Sequence, residues 1–496
     1  MAGFSKRLGW PWLAVALCAL GGCVVGPRYS RPPAPVPNEF KETPPNWKQA
    51  QPSDQVLRGK WWEIYQDREL NRLEEKIDVS NQNLKAAEAQ FDQARALVRL
   101  NRADLYPTIS GGVSATREHL SANRPEATSL TTTNDLILPV DMSYEPDVWG
   151  RVRNNVAAFR ANAQTSFADL QSVSLSLHAE LATDYFQARE LDAEAQLLDS
   201  TVESYQRAFE LTESRYQGGV ASAVDVAQAQ TQLETVRAQA IDVKTTRTQY
   251  EHAIAALIGM PASEFTLPSS ALTATPPTTP PGLPSQLLER RPDVAGSERQ
   301  MAAANANIGV ARAAYFPLFS IPATAGFEGT NITNWLTGPS GFAAAGISAT
   351  ITALDFGRRR AASDQAWAAY HQAAAAYEQT VLTAYQEVED YLAALRLLSD
   401  EARTQAAAVV AAERSLALSE NRYKGGVTSY LEVTTAQATA LSNERTAVQL
   451  AGRQMVDSVL LIKALGGGFD AATLSSLNYN AATSHSPAPS SSLSAP

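Results

Sequence analysis

The segment that decides the fold occurs twice: RYQGGVAS spans residues 215–222 and RYKGGVTS spans residues 422–429. Paired glycines at the end of a helical pattern stop the helix, because glycine readily takes the left-handed C-cap conformation. The serine that closes each segment suits a helix N-cap, and an acid three residues later, Asp225 or Glu432, completes a capping box. Each segment therefore predicts a turn at which a helix folds back on the next as an antiparallel hairpin.

The repetition extends well beyond the two turns. The same offset of 207 residues carries Gly150 onto Gly357, and upstream an offset of 210 carries Pro107 onto Pro317. Self-similarity at a fixed offset is the signature of a repeated structural unit. The chain is therefore predicted to be a tandem duplication of a unit of roughly 200 residues.

Long helices precede both turns. Two interleaved frames of mostly apolar residues, seven positions apart, run through residues 163–216, and the pattern recurs over residues 374–423. This spacing is typical of supercoiled helices. A helix from about Val152 to Tyr216 would be on the order of 95 Å long, which exceeds what a globular core requires. Each repeat is predicted to run helix, strand, strand, long helix, turn, long helix.

Four strand candidates lie between the helices. They cover about residues 108–120, 136–145, 318–329 and 346–353, and in each of them apolar and polar residues alternate. Strands of about 10 residues with one apolar face match a membrane barrel with a wet lumen. A half-buried soluble sheet shows the same alternation. The export signal favours the membrane interpretation.

That signal is the first 23 residues. Lys6 and Arg7 precede a short apolar run, and Leu20-Gly21-Gly22-Cys23 resembles the lipobox of bacterial lipoproteins, in which the cysteine takes the lipid. In that class of lipoproteins the absence of Asp after the cysteine favours outer-membrane sorting, and here Val24 follows. The alternative is that Cys23 is an ordinary thiol. The expected organisation is a signal peptide at 1–22, a lipid anchor and Pro-rich arm at 23–57, a first repeat at 58–261, an equatorial linker at 262–286, a second repeat at 287–469 and a tail at 470–496.

Composition excludes several classes of function. The chain has 496 residues, a formal net charge of −10 and a pI of about 5.2, which argues against a nucleic-acid partner. The five histidines are scattered, and neither a phosphate-binding loop nor a nucleophile elbow is present. We therefore expect no enzyme activity, no cofactor and no metal site.

Closure of the sheet predicts an assembly. A sheet in lipid must pair all its backbone groups, and four strands are too few to close, since about eight is the smallest barrel. Two chains would supply eight strands and three would supply twelve; a lumen that passes solutes favours three. The expected fold is mainly α, with long antiparallel coiled-coil helices forming a trimeric α-barrel below a twelve-stranded transmembrane β-barrel. Asp225 and Glu432 would then ring the axis as aperture acids, or they would only cap their helices.

Several motifs together resemble the outer-membrane factor family, the TolC-like exit ducts of efflux pumps and type I secretion systems. They are Trp61-Trp62, Asn83-Leu84, the run from Tyr144 to Arg153, the run from Leu283 to Val294, the two Arg-Tyr-x-x-Gly-Val turns and Leu465-Gly466-Gly467-Gly468. The resemblance covers about residues 61–469 and, with the lipobox, points to the lipoprotein branch associated with small-molecule efflux. It implies a homotrimer in outer-membrane lipid that docks to a periplasmic adaptor and an inner-membrane transporter.

The resemblance also implies roles for the turns. Glu432 matches an acid of the family's closed aperture, with Arg422 and Tyr423 as further candidates, whereas Thr435 stands where some relatives have a second acid. The expected adaptor-docking residues are those of the hairpin tips: Gly218, Gly219, Val220, Gly425, Gly426 and Val427. Two alternatives stay open, namely a duct for type I protein secretion and a periplasmic coiled-coil scaffold lipoprotein whose strands never enter lipid.

Overall fold

A computed structural model describes residues 24–33, 36–37, 39–42, 59–119, 121, 132–272, 275–277, 289–477 and 479. The predicted signal peptide, Cys23, most of the predicted tail and parts of the arm and linker lie outside the described residues.

The helices and strands follow the predicted order in both repeats. The first repeat contains α1 (Arg68–Ser80), α2 (Gln82–Ala103), β1 (Thr108–Gly111), β2 (Ser114–His119), β3 (Thr132–Tyr144), α3 (Arg151–Gln217) and α4 (Ala223–Leu257). The second contains α5 (Pro292–Ala313), β4 (Leu318–Gly329), β5 (Gly341–Ala345), β6 (Ser348–Thr350), α6 (Arg358–Lys424) and α7 (Tyr430–Ala464), followed by the short α8 (Ala472–Ser475). Short 3-10 turns lie at Trp61–Tyr65, Ala262–Glu264 and Gly338–Ser340.

The lengths of corresponding helices confirm the duplication. α3 and α6 both have 67 residues, α4 and α7 both have 35, and α2 and α5 both have 22. Each pair starts at the offset read from the sequence, 207 residues for the long helices and 210 for the short ones. At about 1.5 Å per residue, α3 and α6 each extend on the order of 100 Å.

The long helices pack as antiparallel hairpins through their heptad residues. In the first hairpin, Leu198 and Tyr205 of α3 are buried against Leu233, Val236 and Ala240 of α4. These residues recur at helical spacing, so along this stretch an apolar stripe of α3 faces α4. No described helix is both long and apolar enough to cross a membrane.

The strands form one antiparallel sheet in which β3 and β4 are central. β1 and β2 both pair with β3, and β5 and β6 both pair with β4. The first predicted strand is therefore interrupted, at Gly112 and Val113. The prediction for the fourth strand was partly wrong, because pairing begins at Gly341, breaks at Gly346 and ends at Thr350.

The N-terminal arm lies along the second repeat. The side-chain amide of Asn305 donates to the Pro27 carbonyl at 3.0 Å, and the Arg31 guanidinium donates to the Tyr377 hydroxyl at 3.2 Å. Further along, Phe40 is buried beside Tyr385. The arm thus crosses α5 and α6 and follows the helices away from the sheet.

Candidate functional site

The first hairpin tip has the geometry that its sequence predicts. The amide of Val220 donates to the Arg215 carbonyl at 2.8 Å, and Gly219 between them has a φ of +74°. The Ser222 hydroxyl accepts from the Asp225 amide at 3.2 Å, while the Asp225 carboxylate accepts from the Ser222 amide at 3.0 Å. These reciprocal bonds form a complete capping box.

The second tip has the same backbone turn but different side-chain partners. Gly426 has a φ of +73°, and the Val427 amide donates to the Arg422 carbonyl at 3.0 Å. The predicted capping box is wrong here, because the Ser429 hydroxyl caps nothing. The Glu432 carboxylate instead accepts from Arg422 at 2.8 Å and from the Thr428 hydroxyl.

Two sequence differences accompany the different partners of the two acids. Thr428 occupies the position of Ala221 and offers a hydroxyl to the acid, and Glu432 has one methylene more than Asp225, which lengthens its reach. Arg422 and Glu432 are 54% and 37% exposed, and an exposed pair of this kind contributes about 0–1 kcal/mol. Glu432 is therefore available for a role other than capping.

The two tips of one chain contact each other through residues whose contact was not predicted from the sequence. The Arg215 guanidinium lies 4.8 Å from the ring centroid of Tyr423 and donates to the Lys424 carbonyl at 3.2 Å. The Tyr423 ring meets Tyr430 edge to face, with the centroids 5.2 Å apart. Tyr423 is consequently buried within the chain behind the exposed Arg422, and Arg215 is a positioning residue that sequence reasoning missed.

Apolar side chains are exposed around the turns. Val220 is 68% exposed and Val427 is 71% exposed, and Val224 and Leu431 on the following helical turns are exposed as well. Isolated exposed apolar residues are ordinary, but a cluster at the end of a long hairpin indicates a contact surface.

At the opposite end of the molecule, the sheet register places most of the apolar residues of the central strands β3 and β4 on one face. Val140 lies opposite Gly111 on one side and Ala325 on the other, and Met142 lies opposite Ile109 and Ala323. The intervening Asp141 and its neighbours form the other, polar face. Among the described residues no strand pairs with the outer edges of β1 and β2 or of β5 and β6.

The junction between sheet and helix is fixed by charged residues of the Tyr144–Arg153 motif. The Asp147 carboxylate accepts from the amides of Val152 and Arg153 at 3.0 and 2.9 Å, which satisfies free N–H groups at the start of α3. Arg151 makes a two-pronged contact with Glu145 at 2.9 and 2.7 Å. The motif thus sets the direction in which α3 leaves the sheet.

One histidine has a buried polar environment. The ring nitrogens of His178 on α3 lie 2.7 Å from Glu74 and 3.2 Å from Asp78 on α1, and Trp62 stacks on the ring at 4.4 Å. Burial raises the pKa of Glu74 to about 7, although the bond to His178 acts in the opposite direction. Within the described ranges, no three His, Cys, Asp or Glu side chains are grouped as metal ligands.

Comparison with known proteins shows the family. The model of the outer membrane efflux protein family matches residues 74–260 and 283–467, one match in each repeat. The chain belongs to this family. It is an outer-membrane efflux channel whose helical part projects into the periplasm.

Relatives and solved structures agree with this membership. The chain is 32% identical over 461 residues to the probable efflux pump outer membrane protein TtgC of Pseudomonas putida. The aligned region covers 92% of this chain and 95% of TtgC. It is 29% identical to the cation efflux system protein CusC of Escherichia coli K12, over 91% of this chain and 97% of CusC. The structure of the outer-membrane channel OprN superposes with a TM-score of 0.83 at 28% identity, covering 90% of this chain and 99% of OprN.

Proposed function

We propose that three copies of this chain close a twelve-stranded transmembrane barrel, with the long helices continuing the passage into the periplasm. The observation that carries the proposal is a sheet with one mainly apolar face and, among the described residues, two unpaired edges. In lipid such edges have to be paired. One chain supplies four strands to the barrel, with β1 and β2 counted as one interrupted strand and β5 and β6 as another, and four strands cannot close a sheet on their own. Twelve strands leave room for a lumen that eight would fill.

Mass measurement tests the assembly. The full chain, extracted from outer membranes in mild detergent, is expected to have the mass of three chains by native mass spectrometry and to dissociate on heating. A monomeric particle with a folded sheet would contradict the proposal.

The proposed cargo is small molecules, such as drugs or toxic compounds, which the channel conducts passively. The names of TtgC and CusC, relatives over almost their whole length, support an efflux pump rather than a protein secretion system. A strain lacking this gene is expected to become more susceptible to a set of antibiotics and solvents. Unchanged susceptibility combined with loss of a secreted protein would favour the secretion alternative.

The hairpin tips are the proposed docking site for a periplasmic adaptor, which would connect the channel to an inner-membrane transporter. The exposed Val220 and Val427 and the six tip residues 218–220 and 425–427 support this role. A photo-crosslinking residue at either valine is expected to capture the adaptor in cells. The same residue at Ile241, which is equally exposed but lies on α4 away from the tip, is the control.

The aperture role belongs to the exposed charges of the tips. We expect Arg422 and Glu432 to carry it, while Tyr423, buried between Arg215 and Tyr430, supports the second tip from within the chain. Glu432→Gln is expected to change single-channel conductance or cation preference in planar bilayers. Asp225→Asn removes a charge but keeps an acceptor for the Ser222 amide, so it tests the first acid without removing the cap. Unchanged channel properties in both variants would leave the acids no aperture role.

Lipid attachment at Cys23 is the remaining part of the proposal. Val24, the residue that follows, lies against Gly150 at the start of α3, so the arm begins beside the sheet. Cys23→Ser is expected to abolish labelling by a palmitate analogue and to weaken membrane retention while the trimer still forms. Undiminished labelling of the variant would exclude this site.

A further inference from the structure

The duplication holds residue by residue within the sheet. Thr108 pairs with Ser143 in the first hairpin. The duplicates of these residues, Leu318 and Thr350, pair in the second hairpin. Wherever both hairpins are paired, this correspondence holds, so the repeat offsets predict strand register correctly inside the chain.

The joint between the repeats supplies a template for contacts between chains. There, Asp141 of β3 lies opposite Thr324 of β4. Their duplicates, Ser348 and Ser114, lie on the two free edges of the sheet, where nothing in the described part of the chain pairs with them from outside. In a ring of copies, the second repeat of one chain meets the first repeat of the next. The contact between two chains therefore joins duplicates of the same two strands that meet inside one chain: the duplicate of β3 in one copy and the duplicate of β4 in the next.

The geometry points to one register at the subunit boundary: Ser348 of one copy opposite Ser114 of the next, and Ala349 opposite Val113. The second pair follows from Met142 and Ala323, which lie opposite each other inside the chain. The inference rests on the proposed ring assembly and specifies which residues join it.

The faces of the sheet agree with this register. Ala349 and Val113 belong to the apolar face, whereas Ser348 and Ser114 belong to the polar face. If the register at the boundary shifted by one residue, the polar face of one edge strand would point to lipid, because side chains alternate along a strand. A slip by two residues would keep the faces aligned and has to be excluded by experiment.

Helix packing supplies independent support. Inside the chain, the Thr165 hydroxyl of α3 donates to the Gly296 carbonyl of α5 at 3.2 Å, and Ala168 packs on the same glycine. All three residues are buried, whereas their duplicates are all exposed; these are Gln372, Ala375 and Ala86. The corresponding faces of α6 and α2 therefore lack the cover that the joint supplies to α3 and α5, and a neighbouring copy in this register covers them.

Two exposed aromatic residues are likewise duplicates of a pair that is in contact inside the chain. Trp149 stacks on Phe316 at a centroid distance of 4.7 Å where the sheet meets the helices. Their duplicates are Phe356, which is 93% exposed, and Tyr106, which is 61% exposed. Phe356 of one copy is therefore placed against Tyr106 of the next, which removes a large apolar side chain from solvent.

Cysteine crosslinking tests the register. Directly opposed residues of antiparallel strands have Cα atoms about 4.5–5.5 Å apart, within disulfide range. One variant combines Ser348→Cys with Ser114→Cys, and the other combines Ala349→Cys with Val113→Cys. One of these adjacent pairs is a non-hydrogen-bonded pair, so at least one is close enough. After oxidation in outer membranes, covalent dimers and trimers are expected on denaturing gels, because the two cysteines of one chain react with different neighbours.

Matched controls shift one cysteine by two residues. Ser348→Cys combined with Thr116→Cys or with Gly112→Cys places the thiols on a diagonal of about 7–8 Å, and little crosslinking is expected. A trimer that crosslinks more efficiently through a shifted pair than through the directly opposed pairs overturns the register but not the assembly. A trimer that forms no crosslink through any of these pairs has the same consequence. A monomer without crosslinks overturns the proposed assembly itself.

Discussion

Asp225 and Glu432 occupy duplicated positions, yet their carboxylates have different partners. Asp225 binds the amide of Ser222 and completes a cap, whereas Glu432 turns to Arg422 and Thr428. Threonine at 428, in place of the alanine at 221, supplies a competing donor, and the acid itself is longer by one methylene. Duplicated sequence therefore predicts duplicated backbone more securely than duplicated side-chain contacts.

The paired serines test this difference directly. Ser222→Ala removes a hydroxyl that caps α4 and is expected to cost about 1 kcal/mol of stability. Ser429→Ala removes a hydroxyl that caps nothing and is expected to change stability by less than about 0.5 kcal/mol. Thermal midpoints in detergent compare the two variants, and equal losses would contradict the assignment.

The buried Glu74 predicts a dependence of stability on pH. Its pKa is about 7 in the folded chain, and the ordinary value is 4.5. Below pH 4.5 the group is protonated in both states. Between pH 4.5 and 7 mainly the unfolded state ionises, so stability is lost as the pH rises through this window, by up to about 3 kcal/mol. His178 and Asp78 are the titratable side chains that contact each other beside Glu74.

Glu74→Gln removes this titration and keeps a hydrogen-bonding side chain beside His178. The stability of the variant relative to the native chain is expected to increase from pH 4.5 to 7, as measured by thermal midpoints across that range. Glu75→Gln changes the adjacent residue, which is 57% exposed, and serves as the control. Parallel pH profiles for Glu74→Gln and the native chain would rule out a special role for burial.

The hairpin, as an element, depends on one unusual backbone conformation per tip. Gly426 has a φ of +73°, and a Cβ added there would meet no atom within 4 Å. Gly425 has a φ of −76°, and the nearest atom to an added Cβ is at 3.5 Å, an ordinary contact. The two adjacent glycines therefore differ in conformation rather than in available space.

Alanine substitutions separate these two glycines. Gly426→Ala is expected to cost about 1 kcal/mol, because a side chain disfavours the left-handed region. Gly425→Ala is expected to be neutral or slightly stabilising, since alanine tolerates this φ and restricts the unfolded chain. Denaturation in detergent measures both, and a larger loss in Gly425→Ala would contradict this interpretation of the turn.

For the molecule as a whole, the sheet determines orientation towards the membrane. Val140 lies on the apolar face that meets lipid in the proposed assembly, whereas the next residue, Asp141, lies on the polar face. A charge facing the middle of a bilayer costs about 2–4 kcal/mol, but a charge facing a lumen affects mainly selectivity.

Arginine at these two neighbouring positions is expected to have opposite consequences. Val140→Arg lowers the yield of heat-modifiable trimer in outer membranes, while Asp141→Arg assembles normally and shifts ion selectivity in planar bilayers. Loss of assembly in Asp141→Arg with normal assembly of Val140→Arg would mean that the faces are reversed.

The sequence by itself determined the duplication, the length of the helices, the two turns and the alternating faces of the strands. These features follow from spacing and from glycine conformation, which are local properties of the chain. Only the tertiary structure decided that Glu432 binds Thr428 rather than capping its helix. The same is true of the contact of the Arg215 guanidinium with the Tyr423 ring and of the hydrogen bond between His178 and Glu74, 104 residues away. Such contacts join side chains distant in sequence, and no periodic pattern specifies which of several possible donors and acceptors will meet.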